Sequence, residues 1–433
     1  MIQYLKSIFF YNPNYSLEDK FKYWRIRIFY SIYLGYVFYY LSRGSFRILG
    51  TTFTQDGFLS KEELGLILSS FSIFYAISKF TSGMLADIFN PRYVMSIGLF
   101  ITGLINLFLA NSYNFSTILM LWSLNGFFQG FGWPPVSKLL TRWYSKKERG
   151  SWWGMWSTSH NLGDALIPQI ITIALKLNNF KLGFYIPGII AVIFSIVLFE
   201  RVREHPKSVN LPDVREYMND NSDSKSFNKK ENIPFLSLLV KYVFTNGYVW
   251  SLILASFFIY LIRFSLHPWI TYFFENKGYG IASSIAFLTP LEIGGFLGSL
   301  LAGRISDKVF KGKRSYTNIL FCLGLLVTVL IFWKLPYSNP FYDSAIISLI
   351  GFFIYGPQML VGIAIAEASH KEAVSTSTGF AGMWSYFAAI LPNLYCPKIG
   401  WNIYFIILII YSIAAIVFFS PLIRFEYKKN RKK

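Results

Sequence analysis

The chain has 433 residues, of which 54% are hydrophobic and only 15% are charged, and its mean hydropathy is +0.41. This composition excludes a water-soluble globular protein and indicates a chain with many membrane-spanning segments. The formal net charge of +19 does not indicate nucleic-acid binding, because the basic residues lie mostly in short turns, where they orient a chain in a bilayer. The two cysteines, Cys322 and Cys396, have neither pairing nor metal-ligand spacing.

Apolar runs of about 20 residues, the length of a helix that crosses a bilayer, recur along the chain. They predict twelve spans, near residues 26–48, 62–86, 93–112, 115–138, 152–175, 181–199, 248–273, 281–303, 316–334, 342–366, 373–396 and 401–422. Lys and Arg are concentrated in alternate loops, which predicts that both termini face the cytoplasm. The N-terminal segment lacks the apolar region of a signal peptide, so we expect the first span to act as an uncleaved insertion signal.

A polar stretch separates two groups of six spans. Residues 201–231 mix basic, acidic and amide side chains without apolar periodicity, which predicts a solvated linker. We therefore predict an all-α polytopic membrane protein with an N-terminal six-helix bundle (1–200), a cytoplasmic linker (201–246) and a C-terminal six-helix bundle (247–433). The chain has no Walker-type P-loop and no nucleophile and base constellation. It is predicted to be a secondary transporter rather than an enzyme, without a metal or cofactor.

An arginine stands at an equivalent position in each half of the chain. A Tyr-Leu-x-Arg pattern ends at Arg43 and again at Arg263, an offset of 263 − 43 = 220 residues. A charge at membrane depth costs at least about 2.5 to 3.5 kcal/mol, so an intramembrane arginine indicates a functional site. For Arg43 alone, snorkelling to the interface is the alternative interpretation. Two guanidiniums that face each other at the repeat interface, near the depth where transporters bind substrate, predict an anionic substrate.

A Gly-x-x-x-Asp motif recurs at the same offset. Gly83 and Asp87 form the first copy, and Gly303 and Asp307 form the second. Glycine allows two helix ends to approach closely, and the aspartate can accept from N–H groups at a helix N-terminus or pair with a neighbouring arginine. We interpret both motifs as conformational latches rather than substrate ligands.

Polar side chains on two further spans complete the candidates that the residues themselves suggest. His160 lies in the fifth span, and the reference pKa of a histidine side chain, about 6.5, would let it carry part of a phosphate's charge or proton. A hydrogen-bonded structural role in the bundle is the alternative. Tyr75 and Lys79 lie one helical turn apart, so they share a face of the second span. In the fourth span, Pro134 and Pro135 predict a break in the helix.

Seven segments resemble the organophosphate:phosphate antiporters of the major facilitator superfamily. They are 34–46 (LGYVFYYLSRGSF), 71–92 (FSIFYAISKFTSGMLADIFNPR), 126–135 (GFFQGFGWPP), 143–163 (WYSKKERGSWWGMWSTSHNLG), 303–312 (GRISDKVFKG), 355–362 (YGPQMLVG) and 379–386 (GFAGMWSY). The resemblance covers nearly the whole chain outside the linker and termini, and the WPP and KERG blocks are specific to this family. It implies a multi-pass protein of the bacterial cytoplasmic membrane that exchanges glycerol-3-phosphate for inorganic phosphate by alternating access. It also implies a monomer in the lipid bilayer with no nucleic-acid partner and no cofactor.

The resemblance assigns roles to individual residues. Arg43 and Arg263 would clamp the phosphate, each with bidentate hydrogen bonds, and His160 would be a third polar contact. Glu292 would act in the translocation cycle. The residues that would line the path or contact the substrate are Lys79, Tyr36, Tyr40, Tyr75, Tyr260, Tyr355 and Tyr386.

Three positions depart from the family pattern and bear on the choice of substrate. Gly44 replaces a basic residue, Pro268 replaces an acidic residue, and Asp164 stands where the family usually has glycine. The hexose-phosphate branch has charged residues in the eleventh span, whereas residues 375–390 have none. That absence favours glycerol-3-phosphate over hexose phosphate.

Three other functions remain open. The chain could exchange a different organophosphate, such as hexose phosphate, phosphoenolpyruvate or phosphoglycerate. It could be a membrane sensor that binds sugar phosphate and signals through a partner. A proton-coupled symporter is disfavoured, since few intramembrane carboxylates occur beyond Asp164 and Glu292.

Overall fold

The computed structural model describes residues 16–55, 58–218, 237, 239–279, 284, 287–334, 339–396 and 399–431. Every regular element in these ranges is a helix, which confirms the all-α prediction. The α-helices are α1 (Leu17–Gln55), α2 (Lys61–Ile88), α3 (Pro91–Leu109), α4 (Phe115–Gln129), α5 (Trp133–Trp143), α6 (Arg149–Lys176), α7 (Leu182–Arg201), α8 (Val214–Tyr217), α9 (Gly247–Asn276), α10 (Leu288–Arg304), α11 (Arg314–Lys334), α12 (Pro340–Ala368), α13 (Val374–Ala388), α14 (Ile390–Tyr395) and α15 (Trp401–Arg431). Short 3₁₀-helices at Pro206–Val209 and Lys371–Ala373 and π-helices at Val240–Phe244 and Ile305–Val309 complete the set.

Each of the twelve predicted spans overlaps at least one of these helices. The fourth predicted span is two helices, because α4 ends at Gln129 and α5 begins at Trp133 with prolines in its first turn, as the Pro134-Pro135 pair predicts. Seven helices of the described residues are long and apolar enough to cross a membrane. They contain Glu63–Ile88, Pro91–Leu109, Leu182–Arg201, Gly247–Leu266, Arg314–Lys334, Pro340–Ala368 and Trp401–Glu426.

Isoleucine stripes on the outer helices indicate which surfaces face lipid. On α7, Ile189, Ile193 and Ile196 follow helical spacing and are exposed by 49%, 58% and 64%. The same pattern continues on α15, where the exposed residues are Ile403, Ile406, Ile410, Ile413 and Val417. Apolar stripes of this kind would be costly in water but are suited to a hydrocarbon solvent. The chain is therefore a multi-pass membrane protein.

The helices form two compact units. Of the described residues, unit 1 holds those within Met1–Ser145, Ser159–Glu231 and Lys371–Met383, and unit 2 holds those within Lys146–Thr158, Asn232–His370 and Trp384–Lys433. In unit 1, α2 packs on α4, α3 packs on α7, and α1 packs on α7. In unit 2 the helices about 220 residues later repeat these neighbours, since α10 packs on α12 and α15 packs on both α11 and α9. The predicted domain limits at residues 200 and 247 stay a prediction.

The first part of the predicted linker is packed rather than solvated. Leu211 and Val214 are 4% and 1% exposed, and the ring of Tyr217 stacks on Phe21 with centroids 4.0 Å apart. The solvated-linker prediction is therefore wrong for residues 201–218, because two isolated apolar side chains and one aromatic ring suffice to anchor a polar stretch. Residues 219–236 of the predicted linker lie outside the described residues.

Candidate functional site

Arg43 is surrounded by three aromatic rings in unit 1. Its guanidinium carbon Cζ is 4.9 Å from the ring centroid of Tyr40, 5.0 Å from that of Tyr75 and 5.5 Å from that of Phe71. At these distances the ring faces attract the cation, and such contacts strengthen when water is excluded. The helix α1 positions this group because Tyr36, Tyr40 and Arg43 follow i, i+4, i+7 spacing and so share one face.

Lys79 joins the same aromatic group from α2. Its Nζ lies 5.3 Å from the ring centroid of Tyr75 and 5.3 Å from that of Trp133, and the whole residue is only 4% exposed. The Trp133 ring in turn lies 6.0 Å from that of Tyr36. The helix break before α5 places Trp133 here, at the first position of that helix.

His160 approaches this group from α6. Its ring centroid is 5.6 Å from that of Tyr40, and the residue is 4% exposed. All six residues of unit 1 that were predicted to contact the substrate or line its path therefore belong to one cluster: Arg43, Lys79, His160, Tyr36, Tyr40 and Tyr75. Phe71 and Trp133 belong to it as well, and sequence reasoning missed their place there. Their signal was available, since Phe71 precedes Tyr75 by one helical turn and Trp133 stands directly before the two prolines that predict the break.

Arg263 has a polar and an aromatic partner in unit 2. Its Nη1 donates a hydrogen bond of 2.9 Å to Oε1 of Gln358, and its Cζ lies 4.6 Å from the ring centroid of Tyr355. The Tyr355 hydroxyl donates to Oε1 of Glu292 at 2.6 Å. Glu292 is thus linked to the arginine through one tyrosine. Gln358, three residues after Tyr355 on α12, was not among the predicted site residues.

The other two predicted tyrosines of unit 2 join Arg263 through Phe264. The ring centroids of Tyr260 and Tyr386 are 5.9 Å apart, and the Phe264 ring lies 5.9 Å from Tyr260 and 5.7 Å from Tyr386. The Arg263 Cζ is 5.9 Å from the Phe264 centroid. Unit 2 therefore collects Arg263, Tyr260, Tyr355, Tyr386 and Glu292 in one cluster, as unit 1 does around Arg43.

Asp87 lies apart from the aromatic cluster and caps a helix. Its Oδ1 accepts from the N–H of Ser375 at 3.0 Å and its Oδ2 from the N–H of Thr376 at 2.6 Å, both in the first turn of α13. Lys138 donates to the backbone carbonyl of Asp87 at 3.2 Å. The prediction that this aspartate accepts from a helix N-terminus is confirmed. Its proposed part in gating stays a prediction.

Asp307 makes the equivalent contact in unit 2. Its Oδ2 accepts from the N–H of Ser151 at 2.7 Å and from the Ser151 hydroxyl at 3.0 Å, at the start of α6. Its other oxygen accepts from Arg314, which also donates to Glu367 at 3.0 Å. Arg149 donates to the same Glu367 oxygen at 3.2 Å. Sequence reasoning treated the two arginines as loop charges and missed Glu367, because a buried ion network shows only in three dimensions.

The Major Facilitator Superfamily model matches residues 32–393 of the chain. A probable hexose phosphate transport protein of Chlamydia pneumoniae is 41% identical over 96% of this chain and 95% of its own length. The membrane sensor protein UhpC of Escherichia coli (strain K12) is 37% identical over 93% of this chain and 92% of its own. A glycerol-3-phosphate transporter of Bacillus subtilis (strain 168) is 35% identical over 94% of both. The chain belongs to the Major Facilitator Superfamily and, within it, to the organophosphate transporter family, whose members are not enzymes.

Proposed function

We propose that this protein is a secondary active transporter that exchanges a phosphate ester for inorganic phosphate by alternating access in a bacterial cytoplasmic membrane. The observation that carries the proposal is the equivalence of Arg43 and Arg263. Each stands at the same position of the repeat, and each is held against tyrosine rings inside its own helical unit. Arginine at this depth is retained only where a ligand or partner compensates its cost.

The aromatic contacts suit both arginines to phosphate. Stacking uses the flat face of a guanidinium, whereas phosphate oxygens bind the N–H groups along its edge. Arg43 and Arg263 can therefore keep their tyrosine partners while each donates two parallel hydrogen bonds to the substrate. Lys79 and His160 in the Arg43 cluster would add positive charge and a further donor. In this proposal the two arginines clamp one phosphate dianion.

Obligatory exchange follows from the same charges. Without a bound dianion, the two guanidiniums repel each other and oppose the conformational change that carries the site across the membrane. A dianion neutralises both and removes that barrier, because it interacts more favourably with the closed arrangement. The empty carrier would then return slowly, so that uptake of one phosphate compound requires release of another.

Glycerol-3-phosphate and hexose phosphate are the two leading substrates. Relatives at 41% and 35% identity are named for transport of hexose phosphate and of glycerol-3-phosphate respectively. The absence of charged residues from 375–390 favours the smaller ester, as the sequence predicts. Competition between the two esters for one site would separate these substrates.

The deciding experiment uses purified protein in phosphate-loaded liposomes. We expect uptake of labelled glycerol-3-phosphate or glucose-6-phosphate to require internal phosphate. Arg43→Lys and Arg263→Lys keep the charge but lose the planar fork, so each should slow exchange by at least about tenfold. Arg304→Lys, at an exposed arginine of α10, is the matched control and should leave the rate unchanged. Uptake that is indifferent to internal phosphate would contradict exchange.

A membrane sensor is the second candidate. It is favoured by the 37% identity to a protein named as a membrane sensor, over 93% of this chain. A sensor would bind sugar phosphate through the same arginines but would transport little. Well-folded protein that binds glucose-6-phosphate in solution and moves none of it into liposomes would support the sensor and overturn the transporter.

A further inference from the structure

An ion pair lies one helical turn beyond the Arg43 cluster on the same two helices. Arg47 of α1 donates from Nη2 to Oδ1 of Asp164 of α6 at 2.8 Å. Arg47 follows Arg43 by four residues and Asp164 follows His160 by four, so each member continues the face of a predicted site residue. The two helices therefore present two successive polar layers, about 6 Å apart along the axis.

Gly44 and Asp164 both depart from the family pattern. The close contact between α1 and α6 at Gly44 explains the two departures together. A Cβ atom at Gly44 would lie 2.7 Å from Cγ2 of Ile167, so a longer basic side chain at position 44 does not fit this packing. The positive charge is carried instead by Arg47, three residues later on α1 and beyond the close contact between Gly44 and Ile167. Asp164, in place of the usual glycine, supplies the matching carboxylate.

The exposure of this ion pair indicates contact with water. The side chains of Arg47 and Asp164 are 45% and 24% exposed, although both residues lie within predicted membrane spans. A carboxylate or guanidinium open to hydrocarbon would be strongly disfavoured, and ionisable groups in such spans face protein or aqueous cavities. The accessible atoms of the pair are thus placed to meet a solute rather than lipid.

The chemistry of the pair suits hydroxyl groups rather than a second phosphate. The net charge of a carboxylate with a guanidinium is zero, so the pair does not add to the attraction for an anion. The carboxylate oxygens accept hydrogen bonds and the guanidinium donates several, and sugar hydroxyls can do both. Hydrogen bonds to charged groups are the stronger kind.

We infer that Arg47 and Asp164 form a subsite for the hydroxyl groups of a phosphorylated sugar whose phosphate binds at Arg43. This inference rests on the proposed function and gives its substrate class. A hexose ring presents several hydroxyls at the distance of one helical turn from its phosphate, whereas inorganic phosphate presents none there. The subsite therefore distinguishes the organic ester from its exchange partner, and it favours hexose phosphate over the smaller ester that the uncharged stretch 375–390 favours by itself.

The test compares two substrates in Asp164→Asn and Arg47→Gln. We expect the KM for glucose-6-phosphate to rise about tenfold or more in each variant, as for loss of a charged hydrogen bond. The KM for phosphate in phosphate self-exchange should stay within about twofold of the wild-type value, since phosphate does not reach this layer. Glu200→Gln is the matched control, because Glu200 accepts from Arg27 at 2.6 Å elsewhere in unit 1. It should change neither KM.

The outcomes separate the inference from the proposed function. Phosphate self-exchange by the wild-type protein tests the proposed function by itself. If that exchange occurs, equal rises of both KM values in Asp164→Asn would show a structural role and overturn the subsite. Wild-type protein that exchanges phosphate and glycerol-3-phosphate but not glucose-6-phosphate would overturn it too.

Discussion

Asp87 accepts a hydrogen bond of 2.6 Å from the backbone N–H of Thr376, across 289 residues of chain. Asp307 accepts one of 2.7 Å from the N–H of Ser151 in unit 2. Each carboxylate thus caps the first turn of a helix, where its charge is also favoured by the helix dipole. The repeat in the sequence is therefore a repeat of contacts, and the glycine of each motif makes the contact possible.

Substitution of Gly83 should destabilise the protein. A Cβ atom there would lie 2.4 Å from the carbonyl oxygen of Ser375, so Gly83→Ala must push α2 away from α13 and lengthen the Asp87 hydrogen bonds. We expect a loss of about 1 to 3 kcal/mol. Gly65→Ala on the same helix is the control, because its Cβ atom meets no atom within 4 Å. Thermal unfolding in detergent measures both, and equal melting temperatures for the two variants would refute the close-contact argument.

Loss of the Glu367 charge should strongly destabilise the folded protein. Glu367 is the shared acceptor of Arg314 and Arg149, and the three side chains are only 8%, 1% and 3% exposed. Glu367→Gln leaves two buried cations undercompensated, which should cost about 3 to 5 kcal/mol. Glu372→Gln removes only one of the two carboxylate partners of Arg142, at a side chain that is 55% exposed, and it should cost under about 1 kcal/mol. Unfolding of both variants by heat or denaturant gives the comparison, and equal costs would contradict it.

For the rate of phosphate exchange, the aromatic ring of Tyr75 should matter more than its hydroxyl group. The Tyr75 ring serves both Arg43 and Lys79. Tyr75→Phe keeps this ring and should leave phosphate exchange close to the wild-type rate. Tyr75→Leu removes attractions of about 0.5 to 2 kcal/mol for each cation, so exchange should slow by about tenfold. Equal exchange rates in the two variants, measured in proteoliposomes, would show that the ring has no such part.

Stability should depend on pH through His205. Its Nδ1 accepts from the N–H of Ser208 at 3.1 Å and so caps the helix Pro206–Val209. Burial and the nearby Arg142 guanidinium lower the pKa of His205 from its ordinary value of about 6.5. As the pH falls, the unfolded chain takes up the proton first. The stabilisation by neutral His205 is therefore complete above pH of about 6.5 and is lost as the pH falls toward the folded-state pKa.

The matched variant for this prediction is His205→Asn. Asparagine caps helices well but does not titrate, so the variant should lose less stability than wild type between pH 7 and pH 5. Melting temperatures across that interval measure the effect. Parallel pH profiles for the two proteins would rule out His205 as the source.

Local patterns in the sequence were enough to predict the helices and the repeat. Apolar run length predicts where chain can cross a bilayer, and Pro134 and Pro135 predict the break before α5, because both effects act over a few residues. The 220-residue offset between Arg43 and Arg263 predicts two equivalent halves. Both predictions depend on spacing along the chain, which sequence records directly.

The tertiary structure alone decided which distant side chains meet. Trp133 beside Lys79, Gln358 beside Arg263 and Asp164 paired with Arg47 each join helices far apart in sequence. No local pattern contains such pairs, because they depend on how the helices pack and on close contacts such as the one between Gly44 and Ile167. The sequence by itself determined the spans, the repeat and the equivalent positions of the two arginines. Helix packing decided the aromatic cluster around each arginine and the polar layer beside the Arg43 cluster, since burial and contact distance are properties of the folded chain.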